Sequence, residues 1–154
     1  MHISILAIGK FENSPYQVLF KDFAKRLKWK VELRELEAKN TKNQNPEQVK
    51  EAEGSIIIKN IRSGTKLIAL DERGKDFTSQ GFSKFIADSA VRGESDLTFV
   101  IGGANGLSPE VLKKSSMQIC LGKMTLPHMM ARVILIEQIY RAETIISGHP
   151  YHRE

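Results

Sequence analysis

The chain has 154 residues, with 23 Lys and Arg against 18 Asp and Glu, and one Cys. Domains commonly take roughly 100–200 residues each, so a single domain spanning residues 1–154 is expected. The 41% hydrophobic content is that of a globular chain rather than a disordered one. Cys120 alone cannot close an internal disulfide, which excludes the small disulfide-stapled scaffolds. No apolar run approaches the roughly 20 residues that cross a bilayer. Residues 1–9 lack a basic leader and a small-residue cleavage site, and Lys10 ends their apolar run. A soluble, cytoplasmic protein with no membrane partner is expected.

The net charge of +5 is unevenly distributed: residues 1–66 carry 13 basic and 8 acidic side chains, while residues 67–154 balance. The densest cluster is Lys21, Lys25, Arg26, Lys28 and Lys30, opposed only by Asp22. A basic half suits a phosphate backbone. A solvated helix face that keeps the protein soluble accounts for the same charges.

In chain order, residues 2–8 read as a first strand ended by Gly9. Ser14-Pro15 starts a helix in which Val18, Leu19, Phe23 and Leu27 recur at helical spacing. Val31, Leu33 and Leu36 suggest a second strand, and the polar residues 38–46 a loop. Asn45-Pro46 caps and opens a helix running toward Asn60. Residues 66–70 form a buried strand ended by the polar run 71–75, and Ser79 begins a helix carried by Phe82, Phe85 and Ile86. Residues 97–101 are the most strand-like segment, and Ser108-Pro109 opens a short helix. A strand over 117–121 and a long helix from about 127 to 146 complete the pattern. This alternation predicts an α/β fold with a mostly parallel five-stranded sheet and helices on both faces. Ligands of such sheets bind where loops leave the strands' carboxyl ends, here after Leu70, Ile101 and Leu121.

The last helix is apolar nearly all round, through Met129, Met130, Ala131, Val133, Ile134, Leu135, Ile136, Ile139 and Tyr140. Burial against its own sheet and against a second copy, as a homodimer, would satisfy that pattern. Deep burial within one chain is the alternative.

The glycine-rich residues 101–106 (Ile-Gly-Gly-Ala-Asn-Gly) follow the best strand, but do not fit the dinucleotide fingerprint Gly-x-Gly-x-x-Gly. Gly122-Lys123-Met124-Thr125 is not a Walker loop, because Met124 interrupts the order and no glycine stands at 117. His149 and His152 are three residues apart, yet no second ligand pair exists, which argues against a structural zinc site. His128 falls in the first turn of the last helix, where the positive helix end disfavours an imidazolium. A neutral ring exchanging a hydrogen bond fits there, as does a packing role. The terminal His149-Pro150-Tyr151-His152-Arg153-Glu154 concentrates hydrogen-bonding and anion-binding groups where chain ends are normally plain, which suggests a tail that docks into a site.

Three segments together carry a resemblance: Thr125-Leu126-Pro127-His128-Met129-Met130-Ala131-Arg132-Val133, then Glu137-Gln138-Ile139-Tyr140-Arg141-Ala142, then the terminal motif. They resemble the ribosomal RNA large subunit methyltransferase H family. The likeness extends to residues 5–10, Leu70-Asp71 and residues 101–108, and spans essentially the whole chain. It implies a SPOUT-superfamily fold with a C-terminal trefoil knot that binds S-adenosylmethionine (SAM), a homodimer, and no metal. The implied reaction is methylation of N3 of a pseudouridine in 23S rRNA, with the assembled 70S ribosome as substrate. Cofactor contacts carry over to Leu70, Gly102, Leu121, Gly122, Lys123, Met124, Thr125 and Leu126. These fall on the three carboxyl-end loops.

Methyl transfer from a sulfonium requires in-line placement of donor and acceptor, and an imide N3–H must lose its proton. His128 and His152 are the candidate bases, and Arg132 and Arg153 the candidate cations for an imidate or a phosphate. Tyr151 is placed to stack on the base. Two other readings stay open: a catalytically silent ribosome-binding factor of the same fold, and a methyltransferase for another RNA such as tRNA.

Overall fold

The computed structural model describes residues 1–153; Glu154, last in the terminal motif, lies outside the described residues. The elements run β1 (His2–Ile8), α1 (Pro15–Arg26), β2 (Lys30–Leu36), α2 (Pro46–Asn60) and β3 (Lys66–Lys75). They continue with α3 (Ser79–Val91), β4 (Asp96–Ile101), α4 (Pro109–Lys114), β5 (Met117–Ile119) and α5 (His128–Ser147). The five strands form one sheet in the order β2-β1-β4-β3-β5, and every strand pairing is parallel. The expected α/β architecture is therefore present.

Local chemistry sets the helix starts. Ser14, Asn45, Thr78 and Ser108 each accept a hydrogen bond from a backbone amide in the first turn, and Asn45 and Gln48 complete a reciprocal capping box. Proline opens α1, α2 and α4, where no amide is needed. At the far end of α5, Gly148 takes a left-handed φ of 70° and stops the helix.

The sheet is buried on both faces, which explains its near-continuous apolar runs. Ile3, Ile5, Ile68, Leu97 and Phe99 face a core shared with Phe82, Ile86, Leu135 and Ile139, beneath α1, α3 and α5. Leu6, Ala69 and Val100 face the other way, toward Ile57 of α2 and Val111 of α4.

Two expectations change. The run 71–75 does not end its strand: β3 continues to Lys75, with an irregularity after Leu70 before Lys75 pairs again with Ile119. Gly74 makes the return possible, since a Cβ there would lie 2.5 Å from the Ile119 carbonyl carbon. Conversely β5 is shorter than read, ending at Ile119, because the chain then turns into the loop that leads to α5. The all-round apolar character of α5 is met largely within one chain. The helix lies over the sheet with α1 and α3 packed along its sides, and no residue from 128 to 145 is fully exposed.

Arg132 is the most telling residue of α5. Its guanidinium is completely buried and donates to the carbonyls of Ile8 at 2.6 Å and Gly9 at 2.9 Å. It also donates to Glu35 Oε1 at 3.2 Å and lies 4.8 Å from the centroid of Phe11. Glu35 Oε1 in turn accepts the Phe11 amide at 2.7 Å. One cation thus ties α5 to the carboxyl ends of β1 and β2. Breaking a buried, hydrogen-bonded charge pair costs about 3–5 kcal/mol, and the 29% exposure of the Glu35 side chain points to the lower end. Arg132→Ala is expected to lose about 3 kcal/mol in urea unfolding, and Glu35→Gln less than half of that. An Arg132→Ala protein as stable as the wild type would show that the network contributes nothing.

Candidate functional site

Because the strands are parallel, the irregular stretch of β3 after Leu70 and the loops after Ile101 and Ile119 meet at one edge of the sheet. Between them lies a cavity of about 490 Å³. Leu70, Leu121 and Leu126 supply apolar wall, and Gly102, Gly122, Met124 and Thr125 complete the part anticipated from the sequence. Lys123 is exposed and does not line it.

The 102–106 segment folds as a tight turn. The Gly106 amide donates to the Gly103 carbonyl at 3.0 Å, and Gly106 has φ of +80°. A Cβ on Gly102 would stand 2.7 Å from the Gly106 carbonyl carbon, so the two strands of the turn touch through backbone alone. Backbone donors and acceptors thereby come directly to the cavity wall.

The cavity also has polar walls, from Asp71, Arg73 and Lys50. Asp71 is clamped by Arg73, whose Nε and Nη2 donate to its two oxygens at 2.9 and 3.0 Å. This charge-assisted pairing holds the Asp71 carboxyl below the usual carboxylate range. Both residues lie within three positions of Leu70, so the carboxyl-end rule carries their signal. Lys50 also lines the cavity, but it arrives from α2, and nothing in its local sequence marks it.

His128 opens α5 and lines the cavity. Burial, and secondarily the charge of Arg132, lower its pKa below the ordinary histidine value, so the ring is neutral at pH 7. That is the state the helix position suggested. Arg132 itself does not line the cavity; its donors are committed to the β1 end and Glu35.

The C-terminal tail sits elsewhere. Tyr151 packs its ring on Tyr140 with centroids 4.7 Å apart, lies under Arg141 and donates its hydroxyl to Glu137 Oε1 at 2.9 Å. His152 Nδ1 is 3.2 Å from Arg141 Nη1. Arg141 lies 13 residues after His128, roughly 20 Å along a helix rising 1.5 Å per residue. Neither Tyr151, His152 nor Arg153 lines the cavity of its own chain. The basic cluster is also distant from it: Lys30 pairs with His2 at the amino end of β1, and the amides of Lys28 and Trp29 bond the Glu143 carboxylate late in α5.

Cys120 borders the cavity, but its thiol donates to Asp76 Oδ1 at 2.9 Å. That hydrogen bond to a carboxylate, followed by burial, raises its pKa and keeps the thiol protonated. The chemistry on offer is positioning, hydrogen bonding and proton acceptance by His128. Among the described residues no cluster of three or more His, Cys, Asp or Glu could hold a metal ion, and no helix is long and apolar enough to cross a membrane. Asp76→Asn is expected to lower the thiol pKa and speed the reaction of Cys120 with an aromatic disulfide reagent at pH 8. An unchanged rate would show that the Asp76 contact does not govern the thiol.

Comparison with known proteins fits this geometry. The family model described as "Predicted SPOUT methyltransferase" matches residues 1–152. A protein of Clostridium tetani named ribosomal RNA large subunit methyltransferase H is 42% identical over 159 aligned positions, covering 99% of this chain and 100% of that protein. Similar proteins carry the same name in Rhodospirillum centenum, at 39% identity with 99% of both chains covered, and in Clostridium perfringens strain 13, at 40% identity.

Proposed function

This chain belongs to the SPOUT methyltransferases, among relatives named ribosomal RNA large subunit methyltransferase H, and from that premise we propose that it methylates N3 of a pseudouridine in 23S rRNA, using SAM, on the assembled 70S ribosome. The observation that carries this reading is the meeting of Leu70, Gly102 and most of residues 121–126 around one cavity. Its volume of about 490 Å³ falls in the range of roughly 300–1,000 Å³ typical of small-molecule sites. The residues fit the cofactor: leucine walls suit an adenine ring, and the bare backbone of the 102–106 turn suits hydrogen bonding to its edge. Bound there, SAM supplies an electrophilic methyl group on a sulfonium.

The remaining work falls to the protein's own side chains. An imide nitrogen attacks only as its proton leaves, and His128, neutral and lining the cavity, is in the form that accepts a proton. Arg132 holds the β1 carboxyl end against α5 and so places His128, one helical turn before it, rather than touching the acceptor. The protein acts as a homodimer in which Tyr151, His152 and Arg153 of one copy serve the cavity of the other. The support for action in trans is that these residues dock some distance along α5 from their own cavity. In that arrangement Tyr151 stacks on the target base and Arg153 holds a phosphate or the developing imidate. Exposed Lys21, Lys25, Lys28 and Lys30 offer a basic face to rRNA beyond the target.

The test uses labelled SAM with ribosomes from a strain lacking the enzyme. Label is expected in 23S rRNA of 70S particles and absent from isolated large subunits and tRNA. Deleting residues 150–154 should abolish transfer. Co-expressing that deletion with a Gly102→Val chain should restore activity that neither possesses alone. Label in tRNA, or no label despite SAM binding, contradicts the substrate; a mixture as inactive as its parts contradicts action in trans.

A further inference from the structure

Glu53, in the middle of α2, carries a carboxylate that no step above uses. Both of its oxygens lie 2.9 Å from where a Cβ on Gly103 would stand, and Oε2 is buried with no hydrogen-bond partner. Burial pushes its pKa up, and the Gly103 amide pulls it back down. The next residue, Gly54, approaches the other end of the same loop: a Cβ there would lie 2.1 Å from Ser108 Oγ, the cap of α4. Two successive residues of α2 therefore brace both ends of the 102–108 segment from outside the cavity. Glu53 does not line the cavity, whereas Gly103 does, so any effect of Glu53 on a ligand passes through the loop.

We propose that Glu53 is a positioning residue for the cofactor loop: its carboxylate, set against Gly103, holds the 102–106 turn in the shape whose cavity side receives SAM. A side chain at 103 would meet the carboxylate where it now stands and push it away from the loop. This proposal rests on the cavity being the SAM site. It gives α2, which already places Lys50 in the cavity wall, a second part in the binding apparatus.

The test is calorimetric SAM binding to the full chain, paired with methyl-transfer kinetics on 70S ribosomes. Removing this brace is expected to weaken SAM binding roughly tenfold in Glu53→Ala, and to raise KM for SAM alike. The kcat at saturating SAM should stay within about twofold, as expected when binding is lost uniformly. Glu53→Gln, which keeps an acceptor oxygen in place, should bind nearly as wild type. Glu53→Asp retains charge but withdraws the carboxylate by one methylene, and decides the matter if the alanine variant does not fold. Gly103→Ala should mimic the loss, and combining it with Glu53→Ala should add little, because both disturb one contact. Wild-type affinity in both Glu53→Ala and Glu53→Asp, or a fall in kcat with KM unchanged, overturns the positioning role alone. A wild-type protein that binds no SAM overturns this proposal together with the cofactor reading.

Discussion

Every strand of this sheet points the same way, and that constraint organises the molecule. A parallel sheet cannot be closed by short hairpins, so each strand must be followed by a crossover, and the helices of those crossovers bury both faces. The irregular stretch of β3 after Leu70 and the loops leaving β4 and β5 then crowd at a single edge. The cavity is the space they leave, and at Gly102 the backbone approaches too closely for a side chain. Binding capacity follows from topology before any particular side chain is considered.

Such an edge needs tying, since loops alone would move. Arg132 ties it on one face, joining α5 to the ends of β1 and β2 through two carbonyls and Glu35. On the other face, Glu53 and Gly54 of α2 press on the 102–108 segment. A buried guanidinium is costly unless fully partnered, and here it has carbonyl, carboxylate and aromatic partners, although its Nε has none. The same positive charge helps to keep His128 neutral. A single residue thus links the stability of the edge to the protonation of the imidazole inside it.

Much of this was legible in the sequence because its signals are local. Ser-Pro and Asn-Pro pairs place helix starts, and β-branched runs such as residues 97–101 place strands. The carboxyl-end rule located the cavity, and the resemblance supplied seven residues that line it. What escaped was long-range. Lys50 and Glu53 reach the loop from a helix far away in sequence, and the charges of residues 71–75 hid the return of β3 to its partner. Arg132 reads as a functional cation because its sequence neighbours carry the family resemblance, whereas its partners lie about a hundred residues away. The apolar circumference of α5 suggested a second copy, but flanking α1 and α3 account for much of it. Periodicity reports how many sides of a helix are covered, not what covers them.

The central claim is that the carboxyl-edge cavity receives SAM between three loops. Amide hydrogen exchange, with and without S-adenosylhomocysteine, tests it most directly. The account predicts added protection concentrated in residues 70–73, 102–107 and 120–128, with the amino edge around His2 and Asp96 unchanged. Protection confined to that opposite edge, or none at saturating ligand, would contradict it.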